Sequence, residues 1–103
     1  MLNQVVLVGR IAKEVKIEEK NYRKVATLTI SCPRSFKNMD GVYENDIINC
    51  VVYEHDIAKN VMEYLKKGDI VGIKGRLQSN GKKLELIAER LTFLSSRSKE
   101  EEE

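Results

Sequence analysis

Polar and apolar residues alternate with a period of two over most of this chain, and the pattern breaks once. Gln4 to Gly9 is dense in β-branched residues, which favour an extended pleated backbone, and Gly9 sits where a long first strand can bend sharply. A charged stretch, Lys13 to Lys24, follows without a strand assignment of its own. From Val25 to Cys32 the alternation is strict. Ala26, Leu28, Ile30 and Cys32 fall on one face and Thr27, Thr29 and Ser31 on the other, which predicts a half-buried second strand. Pro33 lacks a backbone donor and is expected to end regular pairing. Ser35 to Asn45, with Asn38, Asp40 and Gly41, reads as a loop or hairpin end, and it also holds Phe36 and Tyr43. A third strand, Asp46 to Glu54, sets Ile48, Cys50 and Val52 against Ile47, Asn49, Val51 and Tyr53. Apolar residues on both faces imply that neither face is simply bathed in water.

At Asp56 the period changes to that of a helix. Ile57, Val61, Tyr64 and Leu65 recur at helical spacing, with Asp56 placed to cap the first turn and Tyr64 expected in the core. Lys66 and Lys67 suit the negative end of the helix dipole, and Gly68 suits a left-handed cap. A fourth strand, Ile70 to Leu77, leads through an Asn80-Gly81 turn into a fifth, Lys82 to Leu94, where Phe93 reads as core or interface. Three strands, one helix and two strands is the order of an OB-fold. The expected fold is therefore all-β with one helix, a five-stranded OB-fold barrel with the helix between strands three and four. Residues 1–95 form this single domain, and 96–103 are expected to be a short, disordered acidic tail.

Composition narrows the function. A chain of 103 residues has room for one core. The net charge of +2 hides an asymmetry: the last five residues hold one lysine and four glutamates, and without them 17 basic residues face 12 acidic ones. A basic body with an acidic end suits a binder of polyanions. No apolar run approaches the roughly 18 residues that span a bilayer, so a cytoplasmic protein without membrane contact is expected. Cys32 and Cys50 lack the CxxC spacing of zinc or redox sites and read as buried free thiols. His55 stands alone at a strand end, and Gly72-Ile73-Lys74-Gly75 is too short for a phosphate loop. With no nucleophile and base, carboxylate pair or metal cluster, the expectation is a protein that is not an enzyme and needs no cofactor or metal.

Several ordered motifs resemble one family. Leu2-Asn3-Gln4-Val5-Val6-Leu7-Val8-Gly9-Arg10 is similar to the start of bacterial single-stranded DNA-binding proteins, and Ala26-Thr27-Leu28-Thr29-Ile30 with Arg34-Ser35-Phe36 to their second strand and its exit. Asp46 to Tyr53 resembles their third strand, especially in the Gram-positive branch, and Val61 to Gly68 with Gly75-Arg76-Leu77-Gln78 the helix end and fourth strand. The resemblance implies sequence-independent binding of single-stranded DNA in replication, recombination or repair, by a nucleoid-associated protein. It also implies a homo-oligomer, a tetramer before a dimer, with replication or repair proteins as further partners. Phe36 occupies the family's stacking aromatic after strand two, and Tyr53 the one ending strand three. Arg10, Arg34, Lys37, Lys67, Lys74 and Arg76 flank these motifs or lie on the fourth strand, and are the expected phosphate partners.

The chain departs from the family at several points. It has no tryptophan, Ile47 stands where a ring is common, and Glu18-Glu19 replaces an arginine and an aromatic. The Asn80-Gly81 turn is shorter than the family's basic hairpin, which implies fewer contacts per subunit, and Lys99 to Glu103 is acidic without an apolar anchor for partners. Two other readings share the fold: a primosomal restart-type OB protein acting as an adaptor, and an RNA-binding OB module, which a comparison of dT with rU oligomers separates.

Overall fold

The computed structural model describes residues 1–54 and 64–95. They form six strands: β1 (Val5–Ile11), β2 (Lys16–Lys20), β3 (Arg23–Lys37), β4 (Tyr43–Tyr53), β5 (Ile70–Asn80) and β6 (Lys83–Ser95). The sheet runs β1-β5-β6-β4-β3-β2, and β1 also pairs with β3. That extra pairing closes β1, β5, β6, β4 and β3 into a five-stranded, OB-like barrel, with β2 as an added edge strand. His55 and most of the predicted helix, from Asp56 to residue 63, lie outside the described residues, as does the tail, 96–103. Its expected end is described. Gly68 takes a left-handed φ of 96°, its N–H donates to the Ile11 carbonyl at 2.8 Å, and the Lys66 N–H donates to Asp69 Oδ2 at 2.9 Å. Leu65 enters the core, but Tyr64 is exposed, contrary to the helical-stripe expectation, since side chains of adjacent residues diverge and Leu65 takes the inward position.

Strict alternation has the consequence expected of it. Ala26, Leu28, Ile30, Cys50, Val52, Val71, Ile73, Leu86 and Ala88 fill the barrel with Ile11 and Leu65. Paired residues share a face, so Thr27 opposite Val51 and Thr29 opposite Asn49 lie outside. A second, smaller cluster sits there, where Val25, Val51 and Ile87 are buried with Tyr53 half-buried against them. This explains why β4 is apolar on both faces. Gly9 permits closure rather than merely a bend: a Cβ would lie 2.5 Å from Ile30 Cγ2 and 2.8 Å from the Ser31 carbonyl. Gly75 is tighter still, since a Cβ there would meet the Ile87 carbonyl at 2.0 Å.

Three sequence expectations change. The charged stretch contains β2, whose register ends at Lys20 opposite Arg23 and leaves Asn21-Tyr22 as a two-residue turn with φ of 50° and 66°. Both values are positive, as a type I′ hairpin requires. Tyrosine in place of the usual glycine hid that turn. Pro33 does not end the second predicted strand either. It pairs with Asn45, the register then shifts, and pairing resumes at Lys37 opposite Tyr43, so β3 and β4 leave the barrel together as an arm. The thiols also divide. Cys50 is buried, and burial pushes its thiol up to about 12. Cys32 is only half-buried, with its thiol raised by burial first and by Asp46 second.

Candidate nucleic-acid interface

The outer face of β3 and β4 is polar beyond the Val25–Val51 cluster. Thr27, Thr29 and Asn49 floor an open groove of about 530 Å³. Lys13, Glu14 and Lys16 wall it on one side and Lys83 and Glu85 on the other. The groove therefore lies between the β1–β2 connection and the β5–β6 hairpin, over the two central strands of the barrel. In OB-folds this face and these two loops receive oligonucleotides. A second groove of about 500 Å³, lined by Val8, Arg10, Ser31, Pro33 and Asn45, marks the closure of β1 on β3 and leads to the root of the arm.

The arm carries the most exposed ring of the expected site. Phe36 is 69% exposed, and its neighbour Lys37 holds Nζ 5.7 Å from the centre of the Tyr43 ring. The loop between them is rigid in its own right, because Asn38 Oδ1 accepts the Asp40 and Val42 N–H groups at 2.9 and 3.0 Å. Arg34 lies in an ion-pair cluster: Nη1 is 2.9 Å from Glu44 Oε2, and Nη2 is 2.9 Å from Asp46 Oδ1. The hydrogen bond from Arg34 holds the Asp46 carboxyl below its ordinary value.

The other expected residues are distributed around the barrel. Tyr53 packs on Val25, Val51 and Ile87, and Arg76 lies directly across from Ile87, so both flank one apolar strip. Arg76 is itself held, with Nη2 2.9 Å from Gln78 Oε1 and Nη1 3.4 Å from Glu89. Arg10 lines the closure groove while Nη1 donates to the Gly68 carbonyl at 2.9 Å. Lys67 is exposed in that same turn. Lys74 is exposed on β5, opposite Val6 and Arg90, and lines neither groove. Arg34, Phe36 and Lys37 thus come together, Tyr53 and Arg76 form a second group, and Arg10 and Lys67 a third.

Sequence reasoning passed over Tyr43, Lys13, Lys16 and Lys83. Tyr43 was visible inside the loop beside Phe36, and becomes a candidate only once β3 and β4 are seen to continue past Pro33. The lysines needed the barrel, since their approach to Thr29 and Asn49 depends on closure.

A closed barrel with a polar, lysine-walled groove over its central strands and rings on a projecting arm defines an oligonucleotide-binding class of domain. The model of the single-strand binding protein family matches residues 2–94, and the chain belongs to that family. It is 41% identical over 108 residues to the single-stranded DNA-binding protein of Bacillus cereus, covering 95% of this chain and 63% of that protein. With single-stranded DNA-binding protein 3 of Streptococcus agalactiae the identity is 36% over 112 residues, covering 99% and 80%. Among solved structures, the Plasmodium falciparum single-strand binding protein in complex with single-stranded DNA superposes with a TM-score of 0.76 at 26% identity, covering 92% of this chain and 96% of that one. A dimeric PriB N-terminal domain superposes at 0.70 with 21% identity, a likeness of fold, covering 91% and 98%. The chain spans 63% and 62% of the length of its Bacillus cereus and Bacillus anthracis relatives.

Proposed function

We propose that this chain binds single-stranded DNA without reading its sequence, and that binding rather than catalysis is its role. The observation that carries the reading is the lysine-walled groove over Thr27, Thr29 and Asn49, continuous in strand order with an arm that bears the exposed Phe36 ring. Phosphates are attracted to lysine and arginine, and any base can stack on a ring, so this combination selects unpaired strands over a duplex whose bases are already stacked. Family membership and the single-stranded DNA in the Plasmodium falciparum complex support the same conclusion.

Phe36, Lys37, Tyr53 and Arg76 are the proposed contacts on or beside the central strands, with Arg10, Lys67 and Lys74 continuing the basic surface around the barrel. Arg34 contacts phosphate only if it leaves Glu44 and Asp46. Val6 and Val8 are exposed on β1 beside Gly72, an apolar surface that suits a second copy of the chain, and a homo-oligomer is part of the proposal. A mass of 11.8 kDa by light scattering at micromolar concentration would refute that part.

The test of binding is a titration with dT oligomers of graded length at two salt concentrations, beside a duplex of the same length. We expect the single strand to be preferred, with the affinity falling by a log-log slope of about −0.7 per neutralised phosphate. Equal affinity for duplex and single strand at moderate salt would sink the reading.

A further inference from the structure

The β2–β3 hairpin ends in a turn that no packing explains. Lys20 pairs with Arg23, so Asn21 and Tyr22 occupy the two central positions, both at positive φ. Asparagine tolerates that conformation, and glycine is the residue such turns favour second. Tyrosine, a bulky residue, is a genuine outlier there at φ 66°. Its side chain is 98% exposed and has no hydrogen bond, ion pair or ring contact among the described residues. The ring therefore contributes nothing to the barrel that would offset its unfavourable backbone. An unfavourable conformation that holds an unpartnered ring at a tip points to contact with something outside the chain.

Position along β3 indicates what that partner is. β3 starts at Arg23, passes Val25 opposite Tyr53, carries Thr27 and Thr29 on the groove floor, and ends at Phe36 and Lys37 on the arm. At roughly 3.3 Å per residue the curved path of its 15 residues is about 50 Å long. Rings thus stand at both ends of one strand, and Tyr53 lies across from its third residue, near the Tyr22 end. Arg23 is exposed next to the tip, and Lys20 and Lys24 add basic residues to the turn sequence. Glu18, opposite Val25, and Glu19, opposite Lys24, bring opposing charges to this stretch, so the ring rather than the local field is what the tip offers. A flat ring with cationic neighbours, in line with the proposed interface, matches an unpaired base and its phosphate.

We infer that Tyr22 is a further stacking ring for single-stranded DNA, extending the interface along β3 to the end opposite the arm. This rests on the proposed binding of single strands and adds a contact that long strands reach and the shortest do not.

The experiment uses the full chain with fluorescein-labelled dT oligomers of graded length, read by anisotropy, together with thermal melting. Tyr22→Gly puts the favoured residue into the turn, so its Tm is expected to hold or rise. Its affinity for the longest oligomers is expected to fall about five- to a hundred-fold, with a smaller loss on the shortest, while Tyr22→Phe stays within about two-fold of the parent. Unchanged affinity in Tyr22→Gly, with the parent chain binding normally, would overturn the inference and leave the proposed function standing. So would a loss of affinity accompanied by a lowered Tm, which would make the ring a support for the turn. Failure of the parent chain to bind dT at any length would instead remove the proposed function itself.

Discussion

The same two strands build both the most buried and the most exposed parts of this molecule. Over Val25 to Cys32 and Ile48 to Tyr53, β3 and β4 bury alternate residues inside the barrel, whereas over Pro33 to Lys37 and Tyr43 to Ile47 every residue faces solvent. The first half is fixed by burial, since a slip of one residue would expose Leu28 and Cys50. The second half is fixed by hydrogen bonds alone: the register shift after Pro33, the Asn38 turn and the Arg34 ion pairs. Substitutions in the barrel should therefore be read in stability, and substitutions on the arm in binding.

Gly75→Ala should give the largest effect. Its Cβ would meet the Ile87 carbonyl at 2.0 Å, and backbone cannot move aside as a flexible side chain does. A loss of about 3 kcal/mol or more is expected in urea unfolding. A variant that melts like the parent would mean that β5 and β6 do not approach so closely.

Tyr53→Ala tests the border between the two regions. The ring is half-buried on Val25, Val51 and Ile87 yet lies on the outer face, so both readouts should move. We expect a loss of roughly 1 to 2 kcal/mol in stability, below that for a fully buried ring, and a five-fold or greater loss of affinity for dT, about 1 kcal/mol. A change in stability alone would assign the ring to the barrel.

For Phe36→Ala the expectation separates cleanly: affinity falls about five- to a hundred-fold, and the melting temperature stays put. Unchanged affinity with an intact fold would show that the arm does not carry the strand.

The smallest expected effect belongs to the Arg34 cluster. Glu44→Gln together with Asp46→Asn removes both carboxylates that hold the guanidinium, and binding at low salt should tighten modestly. Acid should act in the same direction. The Asp46 carboxyl is held low, so its ion pair is fully formed at neutral pH and is lost as the pH falls through the lowered value, releasing Arg34. If acid leaves the affinity of the parent and the double variant equally unchanged, Arg34 is not a contact.

Sequence periodicity revealed the parts of the fold that depend on burial. Ala26 to Cys32 and Ile48 to Val52 fell on the right faces because alternation records which side meets the core. It missed what burial does not govern. β2 is polar on most positions and is held by backbone pairing, and its turn lacked the glycine that announces a hairpin. The arm beyond Pro33 follows a shifted register, which no alternation can record. Among the candidate residues, Phe36 stood out as an aromatic in a polar loop, but the Glu44 and Asp46 partners of Arg34 and the Glu89 partner of Arg76 are cross-strand neighbours and become visible only with the register known.

Closure of the barrel also bears on how the chain reaches its native state. β1 is held on one side by β5, with Arg10 opposite Ile70, and on the other by β3, with Arg10 opposite Ser31. During synthesis the first strand must wait for a partner encoded far downstream, and until then Val5 to Val8 is an apolar segment with unpaired edges. Folds dominated by such distant pairings form slowly, because loop-closure entropy is spent before contacts reward it. β3 and β4, joined by a short loop, can pair early and present a template. β1 is expected to dock last, across Gly9, and a nascent chain halted before Ile70 is expected to expose an adhesive strand to its neighbours on the ribosome.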